Sequence, residues 1–406
     1  MSEVCKVRKM DSKVRTQVPE NESRIVWHIV SVYLPLTETF IYTAIRHAFR
    51  TEPVVISYRE LANLDSFPLP GRQLHSLWTE RPILRSLAQS RFLSRFGGYC
   101  EGLMLKRMCV RIGSQLYPSL IHAHFGPNGY ASLSLKRRFR VPLVTTFYGH
   151  DVSSSPSQGD WNRRRRKLFA NGDLFLVEGP AMADRLVSLG CPADRIRVQR
   201  IGIDISRIRL SRPTLTANKP TILLAARFVE KKGFEYALRA LAVLHKDGFR
   251  FNCRIIGGGP LEVDLRSIVK TKQIEQCVTF LGYRKHSEFL NELSNADMLV
   301  QPSVTARDGD TEGGAPTCIL EAQAAGVPIV STYHADIPNV VLPGVSALLV
   351  PERDPESLVT AIGTLLRDSE LRKRMGLQGR RFVSEHHDAL TVAVSLDAIY
   401  SSIGAC

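Results

Sequence analysis

The sequence predicts an α/β fold made of two Rossmann-like, doubly wound domains facing each other across a cleft. Three observations carry this. The 406 residues exceed one ordinary hydrophobic core and suit two domains of about 200 residues each. Short β-rich apolar runs alternate with helical stretches along nearly the whole chain, the pattern of a parallel sheet wound on both faces. Between Arg212 and Pro220 the composition turns polar and divides that alternation in two. The expected division is a polar tail at 1–22, a first domain at 23–205, a second at 206–388, and a helix over about 389–406 that packs back on the first domain.

The first 22 residues lack the apolar core of a signal peptide and read as a disordered tail. Residues 24–32, R-I-V-W-H-I-V-S-V, form a continuous apolar run, as in a strand buried on both faces. A loop through Pro35-Leu-Thr-Glu-Thr-Phe40 leads to a helix ending near His47. A second strand is expected at 53–57. Residues 82–112 read as a long helical region in which Ile83, Leu84, Leu87, Leu103, Leu105 and Met108 interleave with arginines and Lys106. Strands at 120–125, 142–148, 174–177 and 196–198 complete the first half. The second half repeats the scheme with strands at 221–225, 251–256, 278–280, 298–301, 328–331 and 347–350. Ligands of such sheets bind at the carboxyl ends of the strands, which here means the cleft between the domains.

The most informative segment is T-E-G-G-A-P-T-C-I-L-E-A-Q-A-A-G, from Thr311 to Gly326. Gly313, Gly314, Ala315, Pro316 and Thr317 form a turn running into a helix start. Backbone N–H groups there point outward with the positive end of the helix dipole behind them, a site for a diphosphate. Glu321, one to two turns into the helix, offers two acceptor oxygens to the hydroxyls of a diol. A diphosphate beside a diol is a nucleotide sugar. In A-R-F-V-E-K-K-G, Arg227 and Lys232 follow the first strand of the second half, where two cations suit a diphosphate leaving group. Lys231 is the lesser candidate of the two lysines. Gly257 and Gly258 follow another strand, in I-I-G-G-G-P-L. In the first half Gly149 permits a sharp turn in Y-G-H-D that presents His150 to the cleft.

These segments resemble the motifs of the large retaining GT-B glycosyltransferases of group 1 or family 4, of the exopolysaccharide and colanic-acid type. The resemblance implies that Glu312 and Glu321 are the family's paired glutamates. Here eight residues separate them where the family has seven, because the turn holds two glycines. It implies that Arg227 and Lys232 hold the donor diphosphate and that His150 contacts the donor sugar, making His150, Arg227, Lys232 and Glu312 the catalytic candidates. It places Gly257, Gly258, Gly282 and Tyr283 on the nucleotide side. It gives Thr37, Glu38 and Thr39, in the loop after the first strand, an acceptor-side role, unless a threonine simply caps the helix. His124 and Gly126, within I-H-A-H-F-G-P-N-G, take a structural or acceptor-side role. The implied reaction is metal-independent, retaining transfer from a nucleotide-diphosphate sugar to a glycan acceptor, without a cofactor.

Composition bounds the rivals. Asp308-Gly309-Asp310 has the look of a divalent-cation pair, but no further carboxylate or histidine stands at ligand spacing, so a turn is expected. The eight cysteines are scattered and read as reduced thiols, Cys318 included. No run of about 18 apolar residues exists to span a membrane. The net charge of +15 is uneven: residues 1–200 carry 30 Lys and Arg against 16 Asp and Glu, a net +14, and the rest is near neutral. This favours an anionic partner for the first domain. The runs 136–140 and 163–167, with the arginine-laced stretch 82–112, suit an anionic membrane face and a lipid-diphosphate-linked acceptor on the cytoplasmic side. A nucleic-acid-binding protein lacks its usual sequence signatures here. An epimerase acting on a nucleotide sugar is the rival enzyme.

Overall fold

The computed structural model describes residues 24–35, 38–82, 94–152, 159–211 and 219–403. The tail, Thr37, the start of the 82–112 region and most of the polar link at 212–218 lie outside the described residues.

Seven strands form the first sheet: β1 (Arg24–Val30), β2 (Thr51–Ser57), β3 (Gln73–Ser76), β4 (Leu120–His124), β5 (Leu143–Thr146), β6 (Leu174–Val177) and β7 (Ile196–Val198). They lie in the order 3-2-1-4-5-6-7, and every pairing is parallel. The second sheet holds β8 (Thr221–Ala225), β9 (Asn252–Ile256), β10 (Val278–Gly282), β11 (Met298–Gln301), β12 (Ile329–Thr332) and β13 (Ala347–Val350) in the order 10-9-8-11-12-13. It too is parallel throughout. The strand order reverses beside β1 in one sheet and beside β8 in the other. The chain therefore leaves a crevice at the carboxyl ends of both.

Each sheet is apolar on both faces because helices cover both. Trp27, Ile29, Ile121 and Phe175 face one layer of the first domain; Val26, Leu120, Val144 and Leu174 face the other. That second layer includes Leu396 and Tyr400 from the helix Ala389–Ile403. The chain thus returns to the first sheet after building the second. The two crossings are tied together, since Ile203 donates to the His387 carbonyl at 2.8 Å and Ala389 donates to the Ile203 carbonyl at 3.0 Å.

β3 and the helix Leu77–Glu80 have no counterpart in the sequence expectations. Q-L-H-S is an edge strand, paired among the described residues only with β2, and it needs no apolar run because one side carries no described neighbour. Within the 82–112 region the helix Ser94–Gly113 buries Leu105, Met108, Cys109 and Ile112 in the core. Its other face exposes Leu103, Lys106, Arg107, Val110 and Arg111.

Candidate functional site

The cleft between the sheets encloses a cavity of about 610 Å³. Its wall includes Glu38, Thr39, Tyr148, Gly149 and Glu178 from the first domain. The second contributes Arg227, Lys231, Lys232, Gly257, Tyr283, His286, Glu312, Ala315, Pro316, Thr317 and Glu321. Most of the donor-side candidates therefore converge on one space.

The turn before the helix Thr317–Ala324 sets that space. Pro316 stands at the N-cap, and the helix is buried from Cys318 to Ala324, which fixes its N-terminus rigidly toward the cleft. Gly313 adopts φ +73° and Gly149 φ +50°. A Cβ on Gly149 would lie 2.0 Å from the Glu312 carbonyl, and one on Gly313 would lie 2.1 Å from the Gly149 Cα. The two domains touch backbone to backbone, and only glycine fits on either side.

Glu321 sits one turn into the helix, 6% exposed. Its Oε1 lies 2.6 Å from Nε2 of His286, at the start of the helix His286–Ser294. Burial works against an imidazolium there, but Glu321's hydrogen bond and charge outweigh it and raise the His286 pKa above its ordinary 6.5. The carboxylate is thus held in place with one oxygen committed.

Glu312 is engaged differently. The Lys232 ammonium donates to both of its oxygens, at 2.8 and 2.6 Å, and the Ser303 hydroxyl donates at 2.7 Å. Burial pushes the carboxyl pKa up, yet the charges of Lys232 and Lys231 hold it below the ordinary value. The Glu312 N–H donates to Nε2 of His334 at 3.1 Å. That fixes the His334 tautomer, so its Nδ1–H donates to Glu352 at 2.6 Å. Lys232, read from sequence as a diphosphate cation, is therefore partnered by Glu312 across the turn. Arg227 is exposed to the cleft and makes no ion pair among the described residues.

Lys231 has a role the sequence did not suggest. It is 5% exposed and binds Asp310 at 3.0 Å and the Thr311 carbonyl at 2.8 Å. Asp308 in turn accepts from the Asp310 N–H at 2.9 Å. The Asp308-Gly309-Asp310 triplet is a turn pinned by a lysine.

In the loops expected to face the nucleotide, Gly257 takes φ +135°, where a Cβ would strike the Ala226 carbonyl at 1.9 Å. Tyr283 donates to the Gly258 carbonyl at 3.0 Å and bridges the two loops. Gly282, at φ +69°, ends β10.

In the first domain the turn Gly149–Asp151 follows β5. Asp151 is buried and accepts from the N–H groups of Gly126 and Tyr148 at 2.6 and 2.9 Å. Burial dominates and lifts its pKa to about 7. The backbone of His150 is part of this turn; its side chain lies outside the described part. Glu38, the N-cap residue of the helix Thr39–Arg46, makes no side-chain cap bond and faces the cleft, where burial lifts its pKa to about 7.

His124 does not reach the cavity. It is fully buried, with Nδ1 2.8 Å from the Tyr148 hydroxyl and Nε2 3.0 Å from Nδ1 of His28. Gly126, also buried, packs under Phe147 and Trp161. Of the two roles open to them from sequence, both residues stand in the structural position. His28, His122 and His124 cluster with ligand-capable atoms within 4.8 Å of one another, the one such group among the described residues that could hold a metal ion. Both His122 nitrogens, however, are bound, to Tyr400 and Thr146 hydroxyls at 2.6 Å. Burial lowers all three pKa values, that of His28 to about 3, so the trio is neutral.

Three residues of the interface carried no motif. Asp336 accepts from the N–H groups of Ala181 and Met182 at 2.8 and 3.1 Å, so a second-domain carboxylate caps the first-domain helix Pro180–Ser188. Glu178 and His286 are the others. Glu178 could have been found by position alone, because it directly follows β6 at its carboxyl end.

Residues 208–382 match the family described as glycosyl transferases group 1, and residues 51–207 match glycosyltransferase family 4. The chain is 34% identical over 276 residues to a Salmonella typhimurium protein named for colanic acid biosynthesis, the glycosyltransferase WcaL, covering 68% of each chain. It is 32% identical over 272 residues to the amylovoran biosynthesis glycosyltransferase AmsK of Erwinia amylovora, covering 66% of this chain and 67% of that one. Anabaena HepE in complex with UDP and glucose superposes with a TM-score of 0.74 at 18% identity, over 93% of this chain and 99% of that one. Sucrose-phosphate synthase from Thermosynechococcus elongatus does so with 0.73 at 18%, over 93% and 98%. With its two facing parallel sheets and both family segments matched in order, the chain is a GT-B glycosyltransferase belonging to the group 1 and family 4 glycosyltransferases.

Proposed function

We propose that the protein transfers a sugar, with retention and without a metal, from a nucleotide-diphosphate sugar to a lipid-diphosphate-linked glycan in exopolysaccharide assembly. The observation that carries this is the convergence of the Thr317 helix N-terminus, Arg227 and Glu321 on one cavity. A buried helix N-terminus with an unpaired arginine favours a diphosphate, and a carboxylate one turn further favours the ribose diol. HepE has been captured with UDP-glucose, and the names of WcaL and AmsK point to extracellular polysaccharides.

Charge develops on the leaving diphosphate as the glycosidic bond breaks. Arg227 and the turn amides meet that charge, and Lys232 stands at hand on Glu312. The departing oxygen then takes the proton of the incoming hydroxyl on the same face of the sugar, which retains configuration. A second cavity of about 660 Å³ shares Thr39, His286 and Glu321 with the first and carries Arg46, Arg207, Arg209 and Lys285. These four cations, set among Asp65 and Asp204, suit an anionic acceptor end. The exposed Leu103, Lys106, Arg107 and Val110 of the helix Ser94–Gly113 suit an anionic membrane surface on the cytoplasmic side.

Nucleoside diphosphate release that depends on a lipid-diphosphate-linked acceptor, with the product anomer read by NMR in EDTA, tests the proposal. An inverted product contradicts retention. Release only when a divalent cation is restored contradicts metal independence.

A further inference from the structure

Glu178 brings a carboxyl group from the first domain onto the turn of the second. It follows Leu174–Val177 directly and lines the same cavity as Arg227, Lys232 and Glu321. Its side chain rests on the two-glycine turn: a Cβ on Gly314 would lie 1.6 Å from Oε2. The Ala315 N–H faces the same carboxyl group and favours its charged form. Any residue but glycine at 314 would displace Glu178, so the second glycine of the turn and this carboxyl group form a matched pair across the cleft.

The order of groups along the turn identifies what meets them. Glu321 stands at the ribose end, and the helix N-terminus at Thr317 stands with Arg227 at the diphosphate. Continuing past the diphosphate toward Glu312, the next part of a nucleotide-diphosphate sugar is the transferred sugar itself. Ala315 and Glu178 lie at that end. A sugar hydroxyl both donates and accepts, so an amide donor beside a carboxyl group can satisfy it from two sides.

Glu178 can sit near a diphosphate without repelling it. Burial, reinforced by the negative charges of Asp336, Asp151 and Glu312, raises its pKa well above the ordinary carboxyl range and keeps it neutral. The backbone contact of Gly149 with Gly313 and the Asp336 cap on the helix Pro180–Ser188 hold the domains at the separation where this group reaches the turn.

We propose that Glu178, paired with the Ala315 N–H, is a specificity residue that hydrogen-bonds a hydroxyl of the transferred sugar when the cleft is closed. This rests on the nucleotide-diphosphate sugar reading of the donor site. The site then reads the sugar from the domain opposite to the one that holds the nucleotide.

Calorimetry with UDP, GDP and ADP, followed by kinetics with UDP-glucose, UDP-galactose and GDP-mannose, tests it on wild type, Glu178→Ala, Glu178→Gln and Gly314→Ala. Glu178→Ala keeps wild-type affinity for the nucleoside diphosphate, which also reports a folded site. Its kcat/KM for the preferred donor falls about 10- to 100-fold, and discrimination between gluco and galacto donors shrinks. Glu178→Gln, which still donates and accepts, retains most of both. Gly314→Ala behaves like Glu178→Ala, and the double variant is no worse than either single one. Unchanged kcat/KM and discrimination in Glu178→Ala overturn the proposal, as does a fall matched by an equal loss of nucleoside diphosphate affinity. A wild-type protein that binds none of the three nucleoside diphosphates overturns the donor reading itself and this proposal with it.

Discussion

Lys232 and Glu312 form an ion pair at 2.6 Å with side chains only 14% and 6% exposed, one on the loop after β8 and the other on the turn that opens the donor helix. The pair fixes the loop after the first strand of the second domain against the turn. On the proposed mechanism it also keeps a cation beside the place where leaving-group charge develops. Removing one partner leaves a buried charge uncompensated, so Lys232→Ala should cost about 3–5 kcal/mol of stability as well as turnover. Urea denaturation at pH 7 measures it, and a loss under about 1 kcal/mol contradicts the pairing.

Acid should weaken the same pair. The Glu312 pKa is held below 4.5 in the folded protein, so its contribution is full above the unfolded value and is lost as pH falls through the folded one. Wild type should therefore lose more stability than Glu312→Gln between pH 5 and strongly acid conditions. Parallel stability curves for the two proteins contradict the assignment.

The His286 and Glu321 pair has the opposite sign. The His286 pKa lies above 6.5, so the stabilisation is full below that value and fades as pH rises through the folded pKa. NMR titration of the ring should show a pKa that drops in Glu321→Ala. An unchanged titration means that the contact does not form in solution.

Asp336→Ala removes the cap that the second domain places on the helix Pro180–Ser188. The cost should be about 1 kcal/mol, the usual value of a lost N-cap. Because the cap spans the domains, small-angle scattering should also show a larger radius of gyration in the variant. Equal radii argue that the cap does not hold the cleft closed.

Charge reversal at Lys106 and Arg107, on the exposed face of the helix Ser94–Gly113, should release the protein from anionic vesicles at low salt. Each Lys or Arg near such a surface contributes about 1 kcal/mol, close to fivefold in affinity. Wild-type protein that sediments equally with neutral vesicles contradicts electrostatic docking. The other basic runs contribute as well. Arg163 and Arg164 are bound to Asp160, Arg165 is buried and Lys136 is tied to Asp173, but Arg137, Arg138, Arg140, Arg166 and Lys167 are exposed and make no ion pair among the described residues.

The strands that build the two sheets were legible because both faces are covered, which leaves long apolar runs in the sequence. β3 was not, since an edge strand needs no such run. The turn before Thr317 and the place of Glu321 on its helix were legible because a glycine turn, a helix start and a carboxylate one turn in are all local in sequence. What joins the domains was not legible. Glu178 meets Gly314 and Asp336 meets Ala181 across 136 and 155 positions, and a lone acid at a strand end or in a loop carries no periodic signal. The sequence left His124 open between a structural and an acceptor-side role, because the partners that hold its ring, His28 on β1 and Tyr148, lie far along the chain and no local pattern announces them.

The central claim is that the cleft holds a nucleoside diphosphate through Glu321 and the turn amides. Thermal and denaturant stability of wild type and Glu321→Ala, measured in EDTA with saturating UDP, GDP or ADP, tests it most directly. One nucleotide should stabilise the wild type by about 2.7 kcal/mol at 100 times its dissociation constant, and Glu321→Ala should gain far less at the same concentration. No stabilisation of the wild type by any of the three, or equal stabilisation of Glu321→Ala, would contradict the account.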